Sequence, residues 1–245
     1  MIMVISDTHT FYETINLQIE YAENSLGVSI SCVVHLGDFG IFKPELHNFF
    51  VKQGRRFIRP VYLLEGNHED FDAMPGLIKK YRKFFTHFPK CTVHSIGGYS
   101  FLWLGGAAYM DSMITQQGAV ITDRHIDSCL SIDREKVNII LTHDCPGGIG
   151  VPNSLGLEYY GDTGFERGDE LALHFKPKLW LFGHHHKWFE CFDTHTRYYG
   201  IAESWNGFGL LDDNFQFKVI QNRIQVETRP RPFIERLLVR LKIIR

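Results

Sequence analysis

The side chains of this chain that could do chemistry follow short apolar segments, where each segment gives way to turn residues. They are Asp7, His9, Asp38, Asn67, His68, His143, His184 and His186. Neutral imidazole, carboxylate and an amide oxygen suit borderline divalent ions such as Mn²⁺, Fe²⁺ or Zn²⁺. Even seven ligands from this set of eight residues would be too many for one ion with an open position, but they would suit two ions that share a bridging carboxylate. Two-metal sites, with ions roughly 3.5–4 Å apart, activate a water and clamp a phosphoryl group during in-line displacement.

The apolar segments themselves are predicted to be buried strands because they are short, rich in β-branched residues and bounded by turns. They cover residues 1–5, 31–36, 60–64, 137–141 and 179–182. Ligands of open α/β sheets bind beyond the carboxyl ends of the strands. In a partly parallel sheet these ends converge, so we expect the polar side chains to meet at one edge.

The remaining elements follow from periodicity and turn residues. Helices are predicted over residues 11–26, 44–51, 77–88 and 168–175, and another helix begins near residue 122. A hairpin is predicted over 92–96 and 99–104, and a β-meander packed on the first sheet over 188–192, 197–202, 207–211, 215–220 and 223–226. Residues 107–121 and 147–168 lack clear periodicity, which indicates functional loops.

Each motif also has a structural explanation when it is taken singly. Asp7 could cap the following helix, and Asp38 lies between glycines that suit an ordinary turn. His143 alone would more often be a hydrogen-bonded structural residue than a ligand. Three consecutive histidines after a strand, at 184–186, are harder to explain by packing. The functional interpretation therefore depends on the whole set.

Composition limits the class of protein. The chain has 245 residues, 44% of them hydrophobic and 22% charged, with a net charge of −2. We expect one domain over residues 1–228 and a basic amphipathic helical tail over 229–245. There is no global basic field of the kind that indicates nucleic-acid binding. Five scattered cysteines without a CxxC pair favour reduced thiols in the cytoplasm. We find no signal peptide and no apolar run long enough for a transmembrane segment.

Two basic regions leave alternatives open. Residues 79–83 combine cations with neighbouring aromatic residues, and residues 55–59 carry three arginines. Such a combination could bind a nucleic-acid strand, although an amphipathic helix with its aromatic residues in the core explains the first region as well. The tail could dock on this chain, mediate self-association, bind a partner or lie on an acidic membrane surface.

The order of the motifs resembles that of the calcineurin-like metallophosphoesterase superfamily. The motifs are Asp7-x-His9, Gly37-Asp38, Gly66-Asn67-His68-Glu69, His143 and Gly183-His184-x-His186. The resemblance implies an α/β fold, a four-layer αββα sandwich of two mixed sheets flanked by helices, here with a C-terminal helical tail.

The resemblance also implies a dinuclear centre. One ion would be held by Asp7, His9 and His186, the other by Asn67, His143 and His184, with Asp38 as the bridge. Mn²⁺ is favoured, with Fe, Zn or Ni as alternatives. A metal-bridging hydroxide would attack phosphorus, and His68 would stabilise the oxyanion or protonate the leaving group. His185 fills a variable position and receives no role.

Departures from the family narrow the expected substrate. Protein Ser/Thr phosphatases of the family have an arginine before the Gly-Asn-His-Glu motif, where this chain has Glu65. They also have an Asp-Arg-Gly run after the second aspartate, where this chain has Phe39-Gly40-Ile41-Phe42. This argues against a phosphoprotein phosphatase. The run from His143 to Pro146 is similar to that of RNA lariat debranching relatives, but it is short. Phosphodiester hydrolysis is our first expectation. The alternatives are a phosphomonoesterase for a small metabolite, a nuclease, or a metal-bound interaction scaffold without turnover.

Overall fold

The computed structural model describes residues 1–110, 115–153 and 161–226, which form two six-stranded sheets. The first sheet has the order β12-β11-β1-β2-β3-β4, and the second has the order β5-β6-β7-β8-β10-β9. In the first sheet the strands are β1 Ile2–Ile5, β2 Cys32–His35, β3 Val61–Leu63, β4 Thr86–His87, β11 Gly207–Leu211 and β12 Phe217–Gln221. In the second they are β5 Thr92–Ile96, β6 Tyr99–Leu104, β7 Ile139–Thr142, β8 Leu179–Phe182, β9 Phe189–Phe192 and β10 Arg197–Gly200.

Helices cover the outer faces of both sheets. They are α1 Glu13–Ser25, α2 Lys43–His47, α3 Met74–Tyr81, α4 Asp123–Leu130 and α5 Gly168–Phe175. A π-helical turn, Asn48–Lys52, continues α2, and 3₁₀ turns lie at Gln117–Ala119 and Arg134–Lys136.

The sandwich is held together by three apolar layers, which the alternation of side chains along the strands produces. In β1, Ile2 and Val4 face the core between the two sheets, whereas Met3 and Ile5 face the helices α1 to α3. A third cluster fills the space between the second sheet and the helices α4 and α5. Both sheets mix parallel and antiparallel pairs. The predicted fold class, a four-layer αββα sandwich, is thus confirmed for the described residues.

The helix predicted over residues 77–88 is wrong in its second half. It begins earlier and ends at Tyr81, and Thr86 and His87 pair in parallel with β3. Phe85 is buried in the helix-side core, and the ring of Phe88 stacks on that of Tyr62 at 5.8 Å. Pairing with β3 therefore overrides the local helical pattern.

The predicted β-meander is also wrong. β10 lies parallel to β8 and antiparallel to β9 in the second sheet, whereas β11 crosses over to pair antiparallel with β1 in the first. Residues 223–226 form no strand. The predicted tail and the domain boundary at residue 228 lie outside the described residues and stay predictions. None of the helices in the described ranges combines the length and the hydrophobicity that a membrane crossing needs.

Candidate metal centre

The loops that follow β1, β2, β3, β7 and β8 meet at one edge of the sandwich and are hydrogen-bonded to one another. The Asp7 amide donates to Gly37 O at 3.1 Å, and the His9 amide donates to Asp38 O at 2.8 Å. The Gly183 amide donates to His143 O at 2.9 Å, which links the loops of the second sheet. The predicted convergence of the strand ends is therefore present in the structure.

Most of the predicted ligands have an unusual backbone. Five of them have left-handed φ angles: Asp7 at 50°, His9 at 45°, Asp38 at 52°, His184 at 65° and His186 at 55°. Such conformations cost of order 1–3 kcal/mol per non-glycine residue, and they persist only where the surroundings fix them. Their concentration at this edge indicates a site whose geometry is maintained at a cost in stability.

A first cluster consists of Asp7, His9 and His186. One carboxylate oxygen of Asp7, Oδ2, accepts hydrogen bonds from the Ser6 hydroxyl and the His184 amide. The other, Oδ1, is buried and has no hydrogen-bond partner among the described residues. It lies 3.2 Å from His186 Nε2 and 3.8 Å from His9 Nε2, and these two nitrogens are 3.1 Å apart. A carboxylate oxygen and two imidazole nitrogens that converge in this way form a donor set suited to a divalent cation.

A second cluster consists of Asp38, Asn67 and His143. The Nδ1 atom of His143 lies 2.7 Å from the carbonyl oxygen of Leu36, which directs Nε2 towards the site. This Nε2 is 2.9 Å from Asn67 Oδ1 and 3.4 Å from Asp38 Oδ1. Burial alone would lower the pKa of His143, but the charge and hydrogen bond of Asp38 raise it to about 10. The site thus attracts positive charge, which a proton or a metal ion can supply.

Asp38 connects the two clusters. Its Oδ1 faces His143, and its Oδ2 lies 3.8 Å from His9 Nε2 in the first cluster. His184 completes the second cluster, with its ring centroid 5.0 Å from that of His143. Burial lowers the pKa of His184 to about 4, so this imidazole is neutral and able to act as a ligand.

His68 lies at the exposed rim of the site. Its ring centroid is 5.8 Å from that of His9, and its backbone amide donates to Asp38 Oδ1 at 2.8 Å. The backbone of His68 therefore helps to orient Asp38, while the side chain faces solvent. All eight residues predicted from the sequence are brought to this edge of the sheets.

Supporting residues that the sequence analysis did not identify lie behind the site. The buried Glu69 carboxylate accepts hydrogen bonds from the backbone amides of Phe39, Gly40 and Ile41, which fixes the loop after Asp38. Burial, followed by the nearby charge of Asp38, raises the pKa of Glu69 to about 8. Glu69 could have been noticed only as the last residue of its motif.

Glu203 lies behind His186. Its Oε1 is 3.5 Å from His186 Nδ1, and its Oε2 accepts a hydrogen bond from Asn206 at 2.8 Å. A carboxylate at this position helps to orient the ring of His186, as carboxylates do behind histidines that bind metal ions. Nothing local in the sequence marks Glu203, because it follows β10, far along the chain from the other motifs.

His185, to which the sequence assigned no role, contacts the residues that follow His143. Its Nε2 lies 2.9 Å from Asp144 Oδ1 and 3.2 Å from Cys145 Sγ. Asp144 also accepts hydrogen bonds from the amides of Ala108 and Cys145. The carboxylate is thus fully hydrogen-bonded, and His185 connects the loops after β7 and β8.

The basic regions show little free aromatic surface. The ring of Phe84 stacks on Phe50 at 4.3 Å, and the guanidinium of Arg56 lies 4.4 Å from the centroid of the same ring. Arg55 pairs with Glu13, and Arg59 pairs with Glu23. A nucleic-acid base could not stack on Phe84 without displacing Phe50 or Arg56 from its ring. The structure therefore gives the nuclease alternative no support.

The two predicted functional loops are described only in part. In the first, Gln116 donates to Glu69 O at 3.0 Å, which connects this loop to the site. In the second, the guanidinium of Arg167 is engaged by Glu170 and Asp127. Residues 111–114 and 154–160 of these loops lie outside the described residues.

Comparison with solved structures identifies relatives of the fold. The protein TT1561 of Thermus thermophilus aligns with a TM-score of 0.57 at 12% identity, over 90% of this chain and 97% of that chain. The phosphopantetheinyl hydrolase PptH of Mycobacterium tuberculosis aligns with a TM-score of 0.52 at 13% identity, over 93% and 98%. A putative 5′-nucleotidase of Staphylococcus aureus aligns with a TM-score of 0.51 at 13% identity, over 98% of this chain and 57% of that chain. At these identities the likeness concerns the fold.

Comparison of the sequence itself gives the family. No curated protein matches the chain. A family model described as calcineurin-like phosphoesterase matches residues 1–188, the part of the chain that contains all the predicted ligands. The chain therefore belongs to the calcineurin-like phosphoesterase family.

Proposed function

We propose that this protein is a dinuclear, metal-dependent phosphoesterase that favours phosphodiester substrates. Its family acts on phosphoester bonds and uses divalent metal ions. The observation that carries the dinuclear assignment is the position of Asp38, whose two carboxylate oxygens face histidines of different clusters. One ion would be held by Asp7, His9 and His186 and the other by Asn67, His143 and His184, with Asp38 shared between them.

The donor set fits two divalent ions of borderline hardness. Imidazole, carboxylate and amide donors suit Mn²⁺, which we favour, and also Fe, Zn or Ni. Bound at this position, the ions would supply a water of lowered pKa as the nucleophile and positive charge for the phosphoryl oxygens. The Oδ1 of Asp7 supports this assignment, because it is buried without a hydrogen bond, which is costly, and faces His186 Nε2 at 3.2 Å.

His68 is the residue that we assign to the leaving group. It is the one member of the predicted set that we do not assign as a ligand, and its imidazole is exposed beside His9. A protonated imidazole at this position could stabilise the charge on a phosphoryl oxygen and then donate its proton to the departing alkoxide. General acid catalysis of this kind typically contributes 10²–10⁴-fold to the rate.

The preference for a diester rests on what replaces a phosphate-binding arginine. Glu65 occupies that position, and its buried carboxylate lies 2.7 Å from His87 Nε2 and 3.8 Å from Lys90 Nζ. Glu65 thus serves the packing between β4 and the second sheet and presents no cation to the site. A terminal phosphate, which carries an extra negative charge, would lack the guanidinium that grips it in the phosphatase branch.

The test compares two substrates with and without His68. Protein loaded with Mn²⁺ is assayed on bis-p-nitrophenyl phosphate and p-nitrophenyl phosphate, as wild type, as His68→Ala and as His195→Ala. The last variant is a matched control, because His195 is exposed in the turn between β9 and β10.

We expect a higher kcat/KM for the diester, a loss of 10²–10⁴-fold in His68→Ala with bound metal retained, and no loss in His195→Ala. A preference for the monoester would contradict the diester assignment and favour a metabolite phosphatase. If two ions are bound but neither substrate is cleaved, the enzyme assignment is contradicted and the scaffold alternative is favoured.

A further inference from the structure

An open cleft adjoins the proposed metal centre on the side of His186. Its volume is about 630 Å³. The lining side chains come from the segment before β9, the segment before β11 and the end of β12, and they include His186, Lys187, Trp188, Asn206, Gln221 and Arg223. Because His186 belongs to both the cleft and the first ligand cluster, the cleft opens directly beside the proposed ion site.

The cleft is positively charged. Lys187 and Arg223 line it, and no acidic side chain does so among the described residues. The Lys187 ammonium donates to the carbonyl oxygens of Pro152 at 3.0 Å and Asn153 at 2.8 Å, which fix its position without neutralising its charge. Arg223 is exposed, and within the described ranges no carboxylate lies within 4 Å of its guanidinium. A guanidinium can bind the oxygens of a phosphate or a carboxylate with two parallel hydrogen bonds.

A carboxylate behind the cleft, that of Glu203, is directed at other groups of the protein. Glu203 faces His186 through one oxygen and accepts a hydrogen bond from Asn206 through the other. Trp188 is half-buried and packs against the core between the two sheets, which provides a rigid wall. The amides of Asn206 and Gln221 add neutral polar groups. The cleft therefore suits an organic group that carries a negative charge.

We propose that this cleft binds a second anionic group of the substrate, a phosphate or carboxylate separate from the phosphoester that is hydrolysed. The proposal rests on the proposed function, because it places the scissile phosphoryl group at the ions beside His186. It narrows the substrate class to phosphoesters whose organic portion is itself anionic, and it assigns Arg223 as the residue that determines this specificity.

The experiment uses two diesters that differ only in the second charge. They are thymidine 5′-(p-nitrophenyl phosphate) and the same compound with an added 3′-phosphate, and release of p-nitrophenolate is followed for both. The proteins are the Mn²⁺-loaded wild type, Arg223→Gln and Arg197→Gln. The last variant removes the same charge at the start of β10, an exposed position outside the cleft lining.

For the wild type we expect kcat/KM to be roughly 10- to 100-fold higher for the 3′-phosphorylated diester, the factor that one charge-assisted hydrogen bond provides. The ratio should fall towards one in Arg223→Gln and stay high in Arg197→Gln. Equal cleavage of the two diesters by the wild type would overturn the cleft proposal alone, as would an unchanged ratio in Arg223→Gln. Failure to cleave either diester with ions bound would overturn the proposed function, and the cleft proposal with it.

Discussion

Replacement of Gly183 by alanine is expected to disable the proposed metal centre by a steric clash alone. Gly183 lies between β8 and His184, and an added Cβ would be 1.8 Å from Ser6 Oγ and 2.6 Å from Asp7 Oδ2. Its φ angle is not among the left-handed ones, so alanine can adopt the backbone conformation. The effect of the substitution is therefore that of the methyl group.

The required movement is large for a catalytic site. Ordinary contacts of a Cβ begin near 3.4 Å, so the Ser6 hydroxyl or the backbone at residue 183 must move by about 1.6 Å. The hydroxyl cannot rotate away without breaking its hydrogen bond to Asp7 Oδ2. Misplacement of about 1 Å can cost roughly 10²-fold in rate. Overpacking of this kind also costs about 1–3 kcal/mol of the free energy of unfolding.

The assay measures bound Mn²⁺ by elemental analysis, kcat/KM on the diester and the melting temperature. Gly183→Ala should lose at least about 10²-fold in kcat/KM, with reduced bound metal and a Tm lower by several degrees. Gly76→Ala is the control, because Gly76 lies in α3 with no atom within 4 Å of its added Cβ. It should gain about 0.5–1 kcal/mol, as alanine does over glycine inside helices. Full metal content and activity within threefold in Gly183→Ala would refute the reasoning.

Three further predictions concern the residues around the ions. Glu69→Gln should lose about 1–3 kcal/mol of the free energy of unfolding in urea, because the NH₂ group of the new glutamine would face the backbone N–H donors of residues 39–41. An unchanged midpoint of urea unfolding would contradict this. Glu203→Gln should weaken Mn²⁺ binding by about 10–100-fold in calorimetric titration, and unchanged affinity would show that Glu203 does not orient His186. Mn²⁺ at 100 times the Kd of each site should stabilise the wild type by about 2.7 kcal/mol per ion, or about 5.4 kcal/mol for two ions, and a chelator should reverse this gain. An equal gain in Asp38→Asn would argue against Asp38 as a ligand.

The position of the site residues at the strand ends could be predicted from the sequence because it is set by local features, whereas their roles stay predictions. Each follows a buried strand, and the carboxyl ends of parallel strands must share an edge. The alternation in β1, with Val4 towards one core and Ile5 towards another, follows from the period of a strand and needs no tertiary information. Asp38 and His143 follow strands of different sheets, so their placement together follows from the family resemblance and not from the strand pattern.

What the sequence missed depends on long-range pairing. No local pattern in the sequence shows whether β11 pairs with β10 or with β1, because this pairing depends on which strands of the two sheets still lack a neighbour. Glu203 supports His186 only because the chain crosses from β10 to β11 at this point. Likewise, residues 84–88 have a helical pattern, but the edge of β3 provides Thr86 with a better partner.

The count of metal ions per chain tests the central claim most directly. Wild type and Asp38→Asn are equilibrated with Mn²⁺, freed of excess ion and analysed for bound metal, and diester hydrolysis is measured on the same samples. We predict two ions per chain with turnover in the wild type, and at most one ion without turnover in Asp38→Asn. Two ions retained by active Asp38→Asn protein, or a wild type that turns over with no bound metal, would contradict the account.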